Sequence, residues 1–360
     1  MNFIRSLDKD LLKKLGIVMG AIVILFIILI IFMIIQGGKL SYNQIEEKMI
    51  SSAKNYYNDF PDQLPQTNNG VVTISSDKLV ELKYMKDLSK LVKNKSDVCS
   101  GQVSVTKNDE TYLYSSTLNC GDNYKTKKLK DVLVEKVVDN DNGIYKIGED
   151  YVFRGDNVDN YVSFADKIWR VLRVNSDGTI RLIDTTRRDS VVWDDRYNSD
   201  KEYNIGINDY NVSRIKDTLE SIYDEFTDID KAYMVKQRLC IGKRDEDSED
   251  NSGNIECSNV VENQNIGLIN VYEFPIASLS NACKKPSDPE CTNYNYLADM
   301  TSTWTLNADS KTSYKVFKMS GEVFITNASN SSSIKPVIVI NSQVNYVDGD
   351  GTEENPYTFK

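Results

Sequence analysis

Acidic side chains are the first place to look for chemistry in this chain. Asp194-Asp195 and Glu353-Glu354 are adjacent carboxylate pairs, and the ending Asp348-Gly349-Asp350-Gly351-Thr352-Glu353-Glu354-Asn355 is dense in oxygen. Glycoside hydrolysis needs two carboxylates at a defined separation across a cleft. Neighbouring acids on one strand or turn do not supply that, and they read as solvated surface. A calcium loop of the EF-hand type needs alternating oxygen ligands, a central Gly and a closing bidentate Glu. The ending fails this spacing and reads as a turn built from Gly and Asp. The chain contains no histidine, so the usual general base at neutral pH and the commonest metal ligand are both missing. No Gly-rich phosphate loop and no Gly-x-Ser-x-Gly occurs. The sequence therefore points to no catalytic residue, no cofactor and no metal ion.

The six cysteines are the next reactive set: Cys99, Cys120, Cys240, Cys257, Cys283 and Cys291. Zinc is disfavoured, because Cys-x-x-Cys is absent and no His can complete a site. An even count fits disulfides. Sequence order suggests three local pairs. Cys99 with Cys120 is the best supported, since their midpoint falls between Asp109 and Glu110, at the turn between the alternating runs GQVSVTK and ETYLYSSTL. Opposed hairpin residues come close enough for a cystine. Trp193, Tyr294, Tyr296 and Trp304 are candidates for stacking on a ligand such as a sugar ring. The commoner use of such residues is core packing with a hydrogen-bonded tip.

Several elements must position these residues. Leu15–Ile35 is an uninterrupted apolar run, roughly 31 Å long as a helix, and is expected to cross a bilayer once. Arg5, Lys9, Lys13 and Lys14 precede it, against Asp8 and Asp10, which predicts a cytoplasmic N-terminus and an extracellular remainder. Gly16 and Gly20 form a Gly-x-x-x-Gly pair that would permit homodimerisation through this helix. Net charge is −10 overall. An acidic chain argues against nucleic acid as a partner.

Beyond the run, Ile45, Met49, Ala53, Tyr56 and Phe60 form one helical stripe, capped by Ser41 and stopped by Pro61. Val71–Ile74 reads as a strand, followed by a short helix capped at Ser75 or Ser76. Tyr161–Val174 and Thr179–Thr186 read as two strands joined at Asp177-Gly178. Asn211–Phe226 reads as a helix with Ile215, Leu219, Ile222 and Phe226 on one face. Residues 266–279 read as a strand and short helix. The apolar stretch IKPVIVI near the end reads as one strand. The expected class is α+β, divided into a cytoplasmic tail (1–14), a transmembrane helix (15–38), a disulfide-pinned membrane-proximal domain with a stalk helix (39–125), a linker (126–142) and a larger extracellular domain (143–360).

The order of a membrane helix, its extension and a small disulfide-pinned sheet over residues 15–125 resembles a type IV pilin. The stretch VTISSDKLVELKYMKDL is similar to segments of Gram-positive pilin-like proteins. The pilin processing motif and the Glu inside the apolar run are missing, which puts pilus assembly in doubt. Over residues 143–360, IWRVLRVNSDGTIRLI, IGLINVYEF, WTLN and KPVIVINSQVNYVDGDGTEENPYTF follow an order similar to that of an extracellular domain family of Firmicutes, with Lys335 where that family usually has Arg. The resemblance implies, more distantly, a C-type-lectin-like or formylglycine-generating-enzyme fold. It implies no activity. Trp193-Asp194-Asp195 resembles the Trp-Asn-Asp calcium segment of C-type lectins, but the matching Glu-Pro-Asn or Gln-Pro-Asp motif is absent.

Together these features suggest a membrane-anchored extracellular surface protein that binds a protein or envelope glycan without catalysis. The alternatives are a structural part of a pilus-like or envelope assembly, and a wall-modifying enzyme with convergent carboxylates in a cleft.

Overall fold

The computed structural model describes residues 39–360 apart from Lys95, Arg187 and Thr301. The apolar run Leu15–Ile35, its basic flank and the Gly16/Gly20 pair lie outside the described residues. Within them the chain is a mixed α+β protein, 34% strand against 23% helix, so sheet dominates. This corrects the expected architecture of a transmembrane helix followed by pilin-like and lectin-like domains. No helix of the described residues is long and apolar enough to cross a membrane. The longest of the described helices, Tyr42–Asp59, has Glu47, Lys48 and Lys54 on its solvent side and cannot be immersed in lipid.

The compact units are also not consecutive in sequence. One gathers described residues 39–59, 74–103 and 116–125; the other gathers 60–73, 104–115 and 126–360.

In the first unit, α1 (Tyr42–Asp59) is capped by Ser41, whose Oγ accepts from Gln44 N while Gln44 Oε1 accepts from Ser41 N. Ile45, Met49 and Ala53 are fully buried on one stripe, whereas Phe60 lies past the helix end and is exposed. Its short helices are α2 (Ser76–Glu81) and α3 (Leu88–Leu91). Ser75 caps α2 by accepting from Lys78 N. Strand β1 (Val71–Ser75) and the predicted hairpin, β2 (Ser100–Asn108) and β3 (Thr111–Asn119), form a sheet of order β1-β2-β3; Val71–Thr73 and the hairpin tip Ser104–Ser115 are counted in the second unit. Cys99–Cys120 closes its base, with Cα atoms 4.1 Å apart. Helix α1 lies close on β2: a Cβ on Gly101 would stand 2.5 Å from Met49 Cε. Buried Asp97 ties the base together, accepting from Tyr42 Oη, Asn94 Nδ2 and Asn123 Nδ2.

The second unit holds one large apolar core. The stretch expected as a linker contains α4 (Leu129–Val134), and Leu129 and Leu133 are buried in that core. There follow β4 (Gly143–Ile147), β5 (Asp150–Arg154), β6 (Tyr161–Phe164), β7 (Lys167–Val174), β8 (Ile180–Asp184), β9 (Arg188–Val192), β10 (Tyr197–Asn198) and β11 (Tyr203–Asn204). The single strand expected over 161–174 is thus a hairpin. Its turn, Ala165-Asp166, has φ of 51° and 55°, and Ala, unlike Asp, is not a residue type that favours such a turn.

The predicted helix is α5 (Arg214–Asp224), followed by α6 (Asp228–Tyr233) with a Thr227–Asp230 capping box, then β12 (Gln237–Cys240) and β13 (Val260–Gln264). Residues 266–271 are buried but not in a strand; α7 (Glu273–Ala277) follows. The last strands are β14 (Thr303–Ala308), β15 (Lys315–Ser320), β16 (Glu322–Asn327), β17 (Ser331–Ile334), β18 (Val337–Ile340), β19 (Tyr346–Asp348) and β20 (Thr358–Phe359). IKPVIVI is split between β17 and β18 at Lys335-Pro336, because Pro lacks the ladder N–H. One sheet runs β18-β8-β7-β5-β4 with β6 also on β7; another runs β16-β15-β14-β17-β9.

Candidate functional site

The site grows from a single irregularity in β7. A bulge between Val171 and Arg173 makes Arg173 and Arg181 direct cross-strand partners. Like charges placed opposite each other repel. Glu273, at the start of α7, resolves the conflict. Arg181 Nε donates to Glu273 Oε1 (2.9 Å) and Nη2 to Oε2 (3.1 Å), while Arg173 Nη1 is 4.0 Å from Oε1. Asn270 N also donates to Oε2 (2.8 Å). Arg181 further bonds Gln237 Oε1 and Leu268 O. Burial disfavours the Glu273 carboxylate, but the two guanidiniums outweigh it and hold its pKa below the ordinary value. Burial likewise opposes the Arg173 charge, and Tyr272 and Glu273 more than offset it.

Of these groups, Arg173, Arg181 and Gln237 line a cleft of about 760 Å³. Its walls come from the Asn175–Thr179 turn, β12 and the end of β18, with Val71 and Thr106 opposite, and the Cys240–Cys257 disulfide borders it. The lining is charged and hydrogen-bonding, and no aromatic ring is part of it. Its acids are already engaged. Asp150 Oδ1 accepts from Ser176 N, Asp177 Oδ1 from Thr179 N and Oγ1, and Glu262 pairs with Arg238. Lys236 Nζ is 2.9 Å from Asp109 Oδ2. Arg173 is different. Its Nη1 donates to Tyr272 Oη (2.7 Å), its Nε has no acceptor among the described residues, and Asp150 is as far as 4.0 Å.

Comparison with family models, with curated proteins and with solved structures returns no match.

The residues singled out from sequence lie elsewhere. Trp193 and Trp304 are fully buried, donating from Nε1 to Thr305 O and Val191 O. Tyr296 is buried too, against the Arg170 guanidinium, which sits 4.5 Å from both the Tyr161 and Tyr296 rings. These three rings offer solvent no face to stack on, because the core already uses both sides. Only Tyr294, of the four, is exposed, at 61%.

Asp194 is a buried acceptor hub rather than a calcium ligand. It takes N–H groups from Arg196, Ile207 and Arg214 and pairs with the Arg196 guanidinium. In the ending, Asp350 Oδ1 accepts from Thr352 N and Oγ1, a turn made by Gly349 and Gly351 at positive φ. Among the described residues, no group of three or more Cys, Asp or Glu could hold a metal. All six cysteines are paired as expected: Cys99–Cys120, Cys240–Cys257 and Cys283–Cys291.

Proposed function

We propose that this chain is an extracytoplasmic surface protein whose cleft above Arg173 and Arg181 binds a protein or envelope glycan without turning it over. One observation carries this reading: the cleft is large and polar, yet its carboxylates are committed to turns and ion pairs instead of being set free for proton transfer. Three disulfides support an oxidising compartment. Attachment to a membrane rests on the sequence of Leu15–Ile35 alone.

The test immobilises the full-length chain and measures binding of cell-wall fragments and matrix proteins. Saturable binding that disappears in Ser342→Trp, which fills the cleft, is expected. Binding that survives this substitution, or no saturable binding at all, would overturn the reading.

A further inference from the structure

We infer that the cleft is selective for a carboxylate-bearing saccharide, whose acid group is received by Arg173. The inference rests on the binding reading above and narrows its ligand. Arg173 and Arg181 line the cleft and flank one buried carboxylate, Glu273, both of whose oxygens Arg181 takes. Arg181 is thereby satisfied, with Gln237 and Leu268 completing its contacts. Arg173 is paired more loosely, with Glu273 and Asp150 only at the edge of ion-pair distance and its Nε without an acceptor among the described residues. It makes one close hydrogen bond, to a neutral phenol, and its nearest carboxylates stand 4.0 Å away. Its side chain is 20% exposed, unlike the 4% of Arg181, so it is the member of the pair that reaches ligand.

A planar guanidinium with unspent N–H groups matches a carboxylate. The wall beside it supplies hydroxyl and amide groups, from Asn175, Ser176, Thr179, Gln237, Asn341 and Ser342. Such a lining suits a hydroxyl-rich ring better than an apolar peptide side chain, for which the cleft has only isolated valines. The chain as a whole is acidic. Attraction of an anion would therefore have to be local, and Arg173 is the local source.

The experiment compares tri-galacturonate with its methyl ester, and both with tri-glutamate, by calorimetry on the full-length chain. The acid saccharide is expected to bind, and the ester to bind about tenfold or more weakly, the equivalent of one lost charge-assisted hydrogen bond. Arg173→Lys, which keeps the charge and loses the fork, is expected to weaken the acid more than the ester and so narrow the gap between them. Because acid and ester are compared on the unaltered protein, the result does not depend on whether an Arg173 variant folds. Equal affinity for acid and ester would overturn the carboxylate assignment and leave the binding reading standing. Tri-glutamate binding as tightly as the saccharide would overturn the saccharide assignment. Failure of both saccharides, with wall fragments still bound and still blocked by Ser342→Trp, would overturn this inference alone.

Discussion

Arg173 and Arg181 face each other across β7 and β8, and the buried Glu273 carboxylate serves both. Removing one partner of such a group leaves an uncompensated buried charge, which costs about 3–5 kcal/mol. Arg181→Met is expected to destabilise by that amount in urea unfolding. The double substitution Arg181→Met with Glu273→Leu should recover part of the loss, since the buried carboxylate is no longer stranded and Arg173, which loses Glu273, keeps Asp150 at 4.0 Å. A double variant as unstable as the single one would show that packing, not charge, is what the pair provides.

A second buried pair, Arg244–Glu256, is expected to respond to pH in the opposite sense. Glu273 has donors on both oxygens, and its pKa is lowered. Glu256 has Arg244 Nη1 on Oε1 at 2.8 Å, but Oε2 has no hydrogen-bond partner among the described residues, and burial pushes its pKa up. A lowered folded pKa gives stability that is present above the ordinary value of 4.5 and lost as pH falls below it. A raised one gives stability that is fullest below 4.5 and lost as pH rises through the folded value. Unfolding free energies measured across the acid range should show Glu273→Gln flattening the acid-side loss. Glu256→Gln should flatten the loss on the other side. Identical profiles for the two variants would refute the distinction.

The disulfides should rank by the loops they close. Cys99–Cys120 spans 21 residues and Cys283–Cys291 spans 8. Loop-closure entropy makes the first worth about 0.8 kcal/mol more than the second. Paired Cys→Ser variants of each, compared by denaturant midpoint, test this; a larger loss from the shorter loop would contradict it.

Trp169, Trp193 and Trp304 are all fully buried. Intrinsic fluorescence should be blue-shifted and resist acrylamide until the protein unfolds. Trp304→Ala should cost about 3–5 kcal/mol in stability while leaving the affinity of the remaining folded protein unchanged. A folded Trp304 variant with altered affinity would return that ring to the list of ligand contacts.

Asp309 is 1% exposed, and neither carboxylate oxygen has a hydrogen-bond partner among the described residues. A buried charge of this kind is costly. Asp309→Asn is expected to raise stability by about 1 kcal/mol, read as a higher melting temperature; a lower one would mean that its charge is compensated.

The parts of this fold that were legible in sequence are those whose cause is local. The Cys99–Cys120 hairpin follows from alternation around one turn, α1 and α5 follow from an apolar stripe, and each cystine joins neighbouring cysteines. The rest depends on partners far along the chain. In Tyr161–Val174 the one mark of a left-handed turn is Asp166, too weak beside Ala165 to break the run, and the pairing of β6 with β7 imposes it. Residues 266–271 are buried outside any strand, with Gly267 bridged singly to Val337. The cleft was invisible for the same reason: Arg181 and Glu273 are 92 positions apart. One clue was present. Arg181 is a charge flanked by Ile180, Leu182 and Ile183, and every residue of β8 is buried. A charge that must enter a core needs a partner there, and the aromatic residues drew attention instead.

The division of the chain into interleaved units has a consequence for inheritance. The polypeptide passes from one unit to the other after Asp59, Thr73, Val103, Ser115 and Lys125. No single crossover in a gene could therefore donate either unit whole to another protein. A recombination after Thr73, Val103 or Ser115 would sever β1, β2 or β3. The pair is expected to descend as one heritable block, diverging by substitution and loop change rather than by shuffling.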